Sequence, residues 1–238
     1  MPNTYFQFKQ FRIEQDQCAM KVGTDGVLLG LLSEVGNAKT ILDVGTGTGL
    51  VALMLAQKYK AEIYAIEIER NAAKQAKENF SLSPWANNLH LIPKSLLDFS
   101  LSDVEISAFD HIICNPPYFK NSVKTASNSR TLARQTDGNF IHELVEFSSK
   151  FLSNNGLLTL IFPVNNLEEY LSITEKHRLN IIKQINIKSH PDSEIIRVLI
   201  TFSKNKLPYA TTYFTIYQKD RTYSTEFKTA AKDYFLKF

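Results

Sequence analysis

The stretch Ile41-Leu42-Asp43-Val44-Gly45-Thr46-Gly47-Thr48-Gly49-Leu50 decides the fold of this 238-residue chain. A short apolar run leads into glycines at alternate positions, and a helical segment follows. This order predicts a buried strand, then a loop that a ligand can approach closely because glycine has no side chain, then a helix.

Two ligand classes can be fitted to the glycine pattern. A dinucleotide register would use Gly47, Gly49 and Ala52, but it leaves Asp43 unexplained and begins too late after the strand. The register Asp-x-Gly-x-Gly-x-Gly uses every residue, and it resembles motif I of class I S-adenosylmethionine-dependent methyltransferases. We favour it over a strand, turn and helix that bind nothing. The candidate cofactor residues of this loop are Asp43, Gly45, Thr46, Gly47 and Gly49.

Short apolar runs and amphipathic helices alternate through most of the chain, which predicts an α/β fold with a doubly wound, Rossmann-like sheet. The predicted core strands are Thr40–Val44, Ile63–Glu67, Leu89–Pro93, Phe109–Cys114 and Gly156–Phe162. The last two strands, Ile181–Lys188 and Glu194–Phe202, are joined by a link too short for a crossover helix. We therefore expect seven strands, mostly parallel, with the last one antiparallel.

The remaining segments flank this core. Alternating aromatic and polar residues over Thr4–Glu14 predict a small hairpin, and Asp25 is a plausible N-cap for the helix that follows. We expect one methyltransferase domain, with a hairpin and helix extension (1–35), a catalytic core (36–203) and a C-terminal appendage (204–238).

Bulk properties exclude several classes of protein. No apolar run reaches the ~18–20 residues of a membrane span, and the N-terminus lacks the apolar segment of a signal peptide. Cys18 and Cys114 are far apart, so we expect neither a disulfide framework nor a metal site. These features predict a cytosolic protein with no membrane association, and a monomer is compatible with them.

Polar residues follow three further strands. Glu67 ends the second core strand, where a carboxylate can accept hydrogen bonds from ribose hydroxyls. Asp98 follows the third, and in the methyltransferase resemblance an acid here meets the adenine amino group. Asn115 follows the fourth. Because parallel strands end at one edge of a sheet, we expect these residues and the glycine loop to lie together.

The tetrapeptide Asn115-Pro116-Pro117-Tyr118 supplies the candidate catalytic residues. Two prolines end the strand and make the segment that follows it rigid. Asn115 Oδ1 and the Pro116 carbonyl can accept hydrogen bonds from an exocyclic NH₂ group, and Asn115 also borders the cofactor. Tyr118 can stack on the acceptor ring, which contributes roughly 1–3 kcal/mol per base. A base in structured nucleic acid would first flip out.

Positive charge is concentrated in two places. Residues 183–238 carry ten Lys or Arg against five Asp or Glu. A second run, Lys120, Lys124, Arg130 and Arg134, follows the tetrapeptide without an intervening acid. A solvated surface explains such runs by default. Binding of a partner that carries phosphates is the more specific interpretation, since Lys and Arg neutralise phosphates.

Five blocks of sequence together resemble the bacterial tRNA1(Val) (adenine(37)-N6)-methyltransferases. They are Phe8–Phe11, Cys18–Gly26, Asp43–Gly49, Asn115–Tyr118 and Tyr234–Phe238. The resemblance covers nearly the whole chain. It implies S-adenosylmethionine as cofactor, with Lys21, Gly23 and Thr24 near the amino-acid end of the methyl donor. It also implies transfer to N6 of an adenosine in tRNA, with the basic runs on tRNA phosphates.

Other methyltransferases share Asn-Pro-Pro-Tyr and remain alternatives. Enzymes that methylate a release-factor glutamine at N5 carry a sizeable N-terminal helical domain, whereas few residues precede Asp43 here. DNA adenine methyltransferases normally add a target-recognition domain, and guanine-N2 rRNA enzymes often have a duplicated N-terminal half. Chain length and the Cys18–Gly26 block favour adenine in tRNA.

Overall fold

The structure, a computed structural model, describes residues 3–117 and 139–238. Its strands are β1 (Tyr5–Gln7), β2 (Arg12–Glu14), β3 (Thr40–Val44), β4 (Glu62–Ile66), β5 (Leu89–Ile92), β6 (Phe109–Cys114), β7 (Leu152–Pro163), β8 (Asn180–Lys188), β9 (Ile195–Ser203) and β10 (Ala210–Thr215). Its helices are α1 (Thr24–Leu32), α2 (Leu50–Lys58), α3 (Arg70–Ser81), α4 (Phe140–Phe151), α5 (Leu167–Lys176) and α6 (Thr225–Ala231). Short 3₁₀ turns lie at Ala86–Asn88, Leu101–Asp103 and Val164–Asn166. None of the described helices is long and apolar enough to span a membrane.

The large sheet has the order β10-β8-β9-β7-β6-β3-β4-β5. The prediction of a mostly parallel α/β sheet is confirmed. Within the described residues the sheet has eight strands rather than seven, and its antiparallel strand, β9, is not the last, because β10 pairs in parallel with β8. The sequence pattern missed β10 because this edge strand is mostly exposed and polar, and it therefore lacks the apolar run of a buried strand.

Helices cover both faces of the sheet, as the doubly wound prediction requires. One hydrophobic cluster includes Leu28, Leu53 and Met54, from α1 and α2. The other includes Leu144 and Ile173, from α4 and α5. The sheet is thus buried on both faces, so polar side chains that could contact a ligand lie at the ends of its strands.

The N-terminal hairpin is confirmed, with β1 and β2 paired antiparallel. The prediction of Asp25 as N-cap is wrong: α1 begins at Thr24 with Gly23 in the cap position, and Asp25 lies in the first turn. The hairpin packs on the C-terminal tail, where Phe8 meets Phe235 edge-on with ring centroids 5.6 Å apart. Asn79 of α3 donates from Nδ2 to the carbonyls of Glu14 at 2.9 Å and of Thr48 at 2.8 Å, which ties the end of β2 to the loop that follows β3.

Candidate functional site

A cavity of about 380 Å³ opens at the carboxyl edge of the parallel strands. Parts of segments 20–26, 43–51 and 115–117 form its wall, together with Arg197. This volume lies in the range of about 300–1,000 Å³ that is typical of small-molecule sites. The cavity therefore brings together the Cys18–Gly26 block, the glycine loop and the tetrapeptide, which are distant in sequence. The wall residues named from sequence are Lys21, Gly23, Thr24, Asp43, Gly45, Thr46, Gly47, Asn115, Pro116 and Pro117.

The loop after β3 presents bare backbone to this cavity. Gly45 and Gly47 have φ values of +69° and +57°, and a methyl group added to either would meet no atom within 4 Å. The backbone N–H groups of Gly45 and Thr46 both donate to the Ile66 carbonyl, at 2.9 and 3.1 Å. The loop is thus held at the end of β4 while its glycines leave room for a ligand. That room suits an elongated cofactor such as S-adenosylmethionine.

Asp43 lies beneath this loop and is almost completely buried. Its Oδ2 accepts hydrogen bonds from Thr46 Oγ1 at 2.6 Å and from the backbone N–H of Ala52 at 3.2 Å. Burial raises the pKa of Asp43 from 3.8 to about 7. The side chain therefore ties the loop to the first turn of α2, and its charge is costly without a cationic ligand nearby.

Glu67 lies behind Gly47. Its Oε2 accepts the Gly47 backbone N–H at 2.9 Å, and its Oε1 accepts the Glu69 backbone N–H at 2.9 Å. Burial raises the pKa of Glu67, and these backbone hydrogen bonds partly offset the effect. A carboxylate has about four acceptor positions, so ribose binding by Glu67 is compatible with both contacts and stays a prediction.

Gly49 and Asp98 stand apart from the cavity wall. Gly49 is the N-cap of α2 with φ +85°, and a methyl group there would lie 2.5 Å from Phe80 Cε1. Its lack of a side chain therefore serves helix packing. Asp98 is exposed, and its Oδ2 accepts a hydrogen bond from Ser95 Oγ at 2.6 Å. Its predicted contact with adenine stays a prediction.

The end of β6 brings the acceptor residues to the cavity. The strand is buried up to Cys114, Pro116 is buried, and Asn115 and Pro117 are half-buried. Five predicted site residues lie outside the described residues, so their roles stay predictions: Tyr118, Lys120, Lys124, Arg130 and Arg134. Over residues 3–117 and 139–238, no group of three or more His, Cys, Asp or Glu side chains is placed to hold a metal ion.

Sequence reasoning missed two charged residues on the wall, Asp25 and Arg197. Arg197 Nε donates to Asp25 Oδ2 at 2.9 Å, which joins the first turn of α1 to the start of β9. The short link before β9 held the signal that could have found Arg197. An antiparallel strand begins at the edge where its parallel neighbours end, so the start of β9 had to lie beside the site.

Known proteins resemble this chain over most or all of its length. Residues 20–178 match the model of the methyltransferase small domain family. A tRNA1(Val) (adenine(37)-N6)-methyltransferase from Trichodesmium erythraeum is 41% identical over 241 residues, covering 100% of both chains. A protein of the same name from Histophilus somni is 42% identical over 235 residues, covering 98% of both chains.

Solved structures share the fold at low sequence identity. A predicted O-methyltransferase from Agrobacterium tumefaciens has a TM-score of 0.69 at 17% identity, covering 88% of this chain and 96% of its own. TYW2 from M. jannaschii, solved in complex with AdoMet, has a TM-score of 0.57 at 17% identity, covering 83% and 84%. The fold, the site and the full-length relatives agree, and the chain belongs to the tRNA1(Val) (adenine(37)-N6)-methyltransferase family.

Proposed function

We propose that this protein transfers a methyl group from S-adenosylmethionine to the exocyclic N6 of adenosine 37 in tRNA1(Val). One observation carries the proposal: the glycine loop and Asn115-Pro116 face the same cavity of about 380 Å³. A methyl donor on the loop and an amine on the tetrapeptide would thus meet in one enclosed space. Relatives about 40% identical over their full length bear this activity as their name.

The wall offers suitable partners for the methyl donor. The open backbone at Gly45 and Gly47 would run along its methionine part, and Lys21, Gly23 and Thr24 would lie near its amino-acid end. Glu67, one layer behind Gly47, would reach the ribose, and Asp98 the adenine. When bound, the sulfonium supplies an electrophilic methyl carbon. The buried Asp43 adds negative charge beneath the loop that would hold this cation.

The tetrapeptide would orient the acceptor. Asn115 Oδ1 and the Pro116 carbonyl would accept the two N–H bonds of the adenine amino group, which directs the nitrogen lone pair toward the methyl carbon. A carbon–nitrogen bond forms as the sulfur–methyl bond breaks, and the nitrogen then loses a proton to solvent. Catalysis would rest on positioning and on a pocket of low dielectric constant, effects worth several kcal/mol.

The wider chain would serve tRNA binding. The basic residues of 120–134 and of the C-terminal third would contact phosphates, which contribute most of the non-specific affinity for nucleic acid. We treat the extension (1–35), core (36–203) and appendage (204–238) as one domain, since β10 of the appendage pairs within the main sheet.

The test offers the protein a choice of acceptors. Labelled S-adenosylmethionine is incubated with unmodified tRNA1(Val), with the same tRNA carrying guanosine at position 37, and with a release factor. We expect N6-methyladenosine, found by nucleoside mass analysis, in the first tRNA alone. Labelled N5-methylglutamine in the release factor, or N2-methylguanosine in either RNA, would contradict the proposal.

A further inference from the structure

We propose that Arg197, oriented by Asp25, binds a phosphate next to the target adenosine and so selects an acceptor within a nucleic-acid strand. The inference rests on the proposed function and adds a residue that determines acceptor specificity. Arg197 lies outside every sequence motif named above, whereas its partner Asp25 lies inside the Cys18–Gly26 block.

The sheet places Arg197 on the acceptor side of the cavity. The residues proposed for the methyl donor follow β3, β4 and β5, and the tetrapeptide follows β6. Beyond β6 come β7, β9 and β8, and Arg197 lies opposite Pro163 of β7 and Ile187 of β8 in the strand register. Arg197 therefore lies beyond Asn115 in the strand order, and its partner Asp25 follows Thr24, which is proposed to lie near the amino-acid end of the methyl donor.

Two of its contacts hold the guanidinium in one orientation. Arg197 Nε donates to Asp25 Oδ2 and Nη1 donates to the Ile196 carbonyl, both at 2.9 Å. The side chains of Arg197 and Asp25 are 30% and 20% exposed, so the pair is neither fully solvated nor sealed off. Partly buried ion pairs add little net stability, because desolvation offsets their attraction. Presenting a fixed cation to a ligand explains the pair better than stability does.

The chemistry of the acceptor matches this cation. A guanidinium has a planar set of donors that fits phosphate oxygens, whereas a neutral side-chain amide offers no such anion. An adenosine within RNA is flanked by two phosphates, one on its 5′ side and one on its 3′ side. Lys21, also on the wall, directs its Nζ to the Asn3 carbonyl at 3.3 Å. Arg197 is thus well placed to separate a nucleotide acceptor from a glutamine.

The test couples one side chain to one phosphate. The RNA is the unmodified anticodon stem-loop of tRNA1(Val), with each linkage flanking the target adenosine replaced in turn by a neutral methylphosphonate. For the wild type, we expect one replacement to lower kcat/KM roughly 10- to 100-fold. Arg197→Met should show a similar loss with the all-phosphate RNA and no further loss at that linkage. Arg197→Lys keeps the positive charge but lacks the planar guanidinium, so its loss of kcat/KM should be intermediate.

Controls separate phosphate binding from support of the fold. Lys206→Met removes an exposed cation near the other end of β9 and should keep the full linkage effect. The dissociation constant of S-adenosylhomocysteine should stay within roughly threefold of the wild type in both Arg197 variants. An undiminished linkage effect in Arg197→Met and Arg197→Lys would overturn the inference, as would loss of S-adenosylhomocysteine binding in Arg197→Lys. A wild type that leaves the all-phosphate RNA unmethylated would instead contradict the proposed function.

Discussion

The backbone N–H of Gly47 donates to Glu67 Oε2 at 2.9 Å, so the end of β4 holds the loop that follows β3. Twenty residues separate the two partners in sequence. The carboxylate that is proposed to bind ribose therefore also sets the shape of the loop proposed to hold the methionine part of the cofactor. The Glu67 side chain therefore links the proposed ribose site to the proposed methionine site.

Gly47→Ala tests whether a ligand uses the open backbone of the loop. Alanine at φ +57° should lower the free energy of unfolding by about 1–2 kcal/mol. Gly36→Ala is the matched control, because Gly36 has φ +56° and equally open surroundings away from the cavity. We expect similar losses of stability in urea, and weaker S-adenosylhomocysteine binding, by roughly 10- to 100-fold, in Gly47→Ala alone. Equal affinities in the two variants would argue against a ligand on this loop.

Gly49→Ala should destabilise the fold for a different reason, which is overpacking. The added methyl group would lie 2.5 Å from Phe80 Cε1, at a backbone φ of +85°. Strain and overpacking together should cost about 2–5 kcal/mol of unfolding free energy. Phe80→Leu removes the opposing ring edge, so the double variant should lose clearly less than the sum of the two single losses. Strict additivity in urea unfolding would show that the steric clash is not the cause.

Asn115→Ala should remove a positioning acceptor and spare the fold. We expect kcat for methyl transfer to fall about 100- to 1,000-fold, as for loss of one aligned active-site polar group. The dissociation constant of S-adenosylhomocysteine should rise by no more than roughly tenfold, since the loop contacts persist. Asn154→Ala, at an exposed site near the start of β7, is the control and should retain wild-type kcat. A loss of binding as large as the loss of rate would assign Asn115 to the cofactor alone.

Asp43 should make the stability of the cofactor-free protein depend on pH. Burial raises its folded-state pKa from 3.8 to about 7, so the folded protein holds this proton more tightly than the unfolded chain does. The stabilising contribution is complete below about pH 4 and is lost as pH rises through 7. Asp43→Asn keeps an acceptor for Thr46 and cannot titrate.

Urea unfolding of both proteins at several pH values measures this contribution. We expect the wild type to lose stability relative to Asp43→Asn between about pH 4 and pH 7. The raised pKa of Glu67 acts in the same direction in both proteins, so the difference between the two curves reports Asp43 together with its repulsion by Glu67. Parallel stability curves would show that the Asp43 carboxyl keeps an ordinary pKa.

Much of the site was accessible from local patterns. The apolar run before Gly45 and the prolines after Asn115 mark strand ends, and parallel strands bring their ends to one edge. Hence the glycine loop and the tetrapeptide were expected together, the family resemblance added the block around Lys21, and all three line one cavity. Strand β10 was missed because an exposed edge strand lacks the apolar run of a buried one.

The sequence by itself determined the order of strands and loops, because apolar periodicity and glycine or proline punctuation act over a few residues. Tertiary structure alone decided how equivalent-looking residues divide their roles. Gly47 opens onto the cavity, whereas Gly49 makes room for the ring of Phe80 from α3. Arg197 lies on the cavity wall and pairs with Asp25, 172 residues away, because β9 is antiparallel to its neighbours. Contacts at such separations depend on how the elements pack, and no local pattern records them.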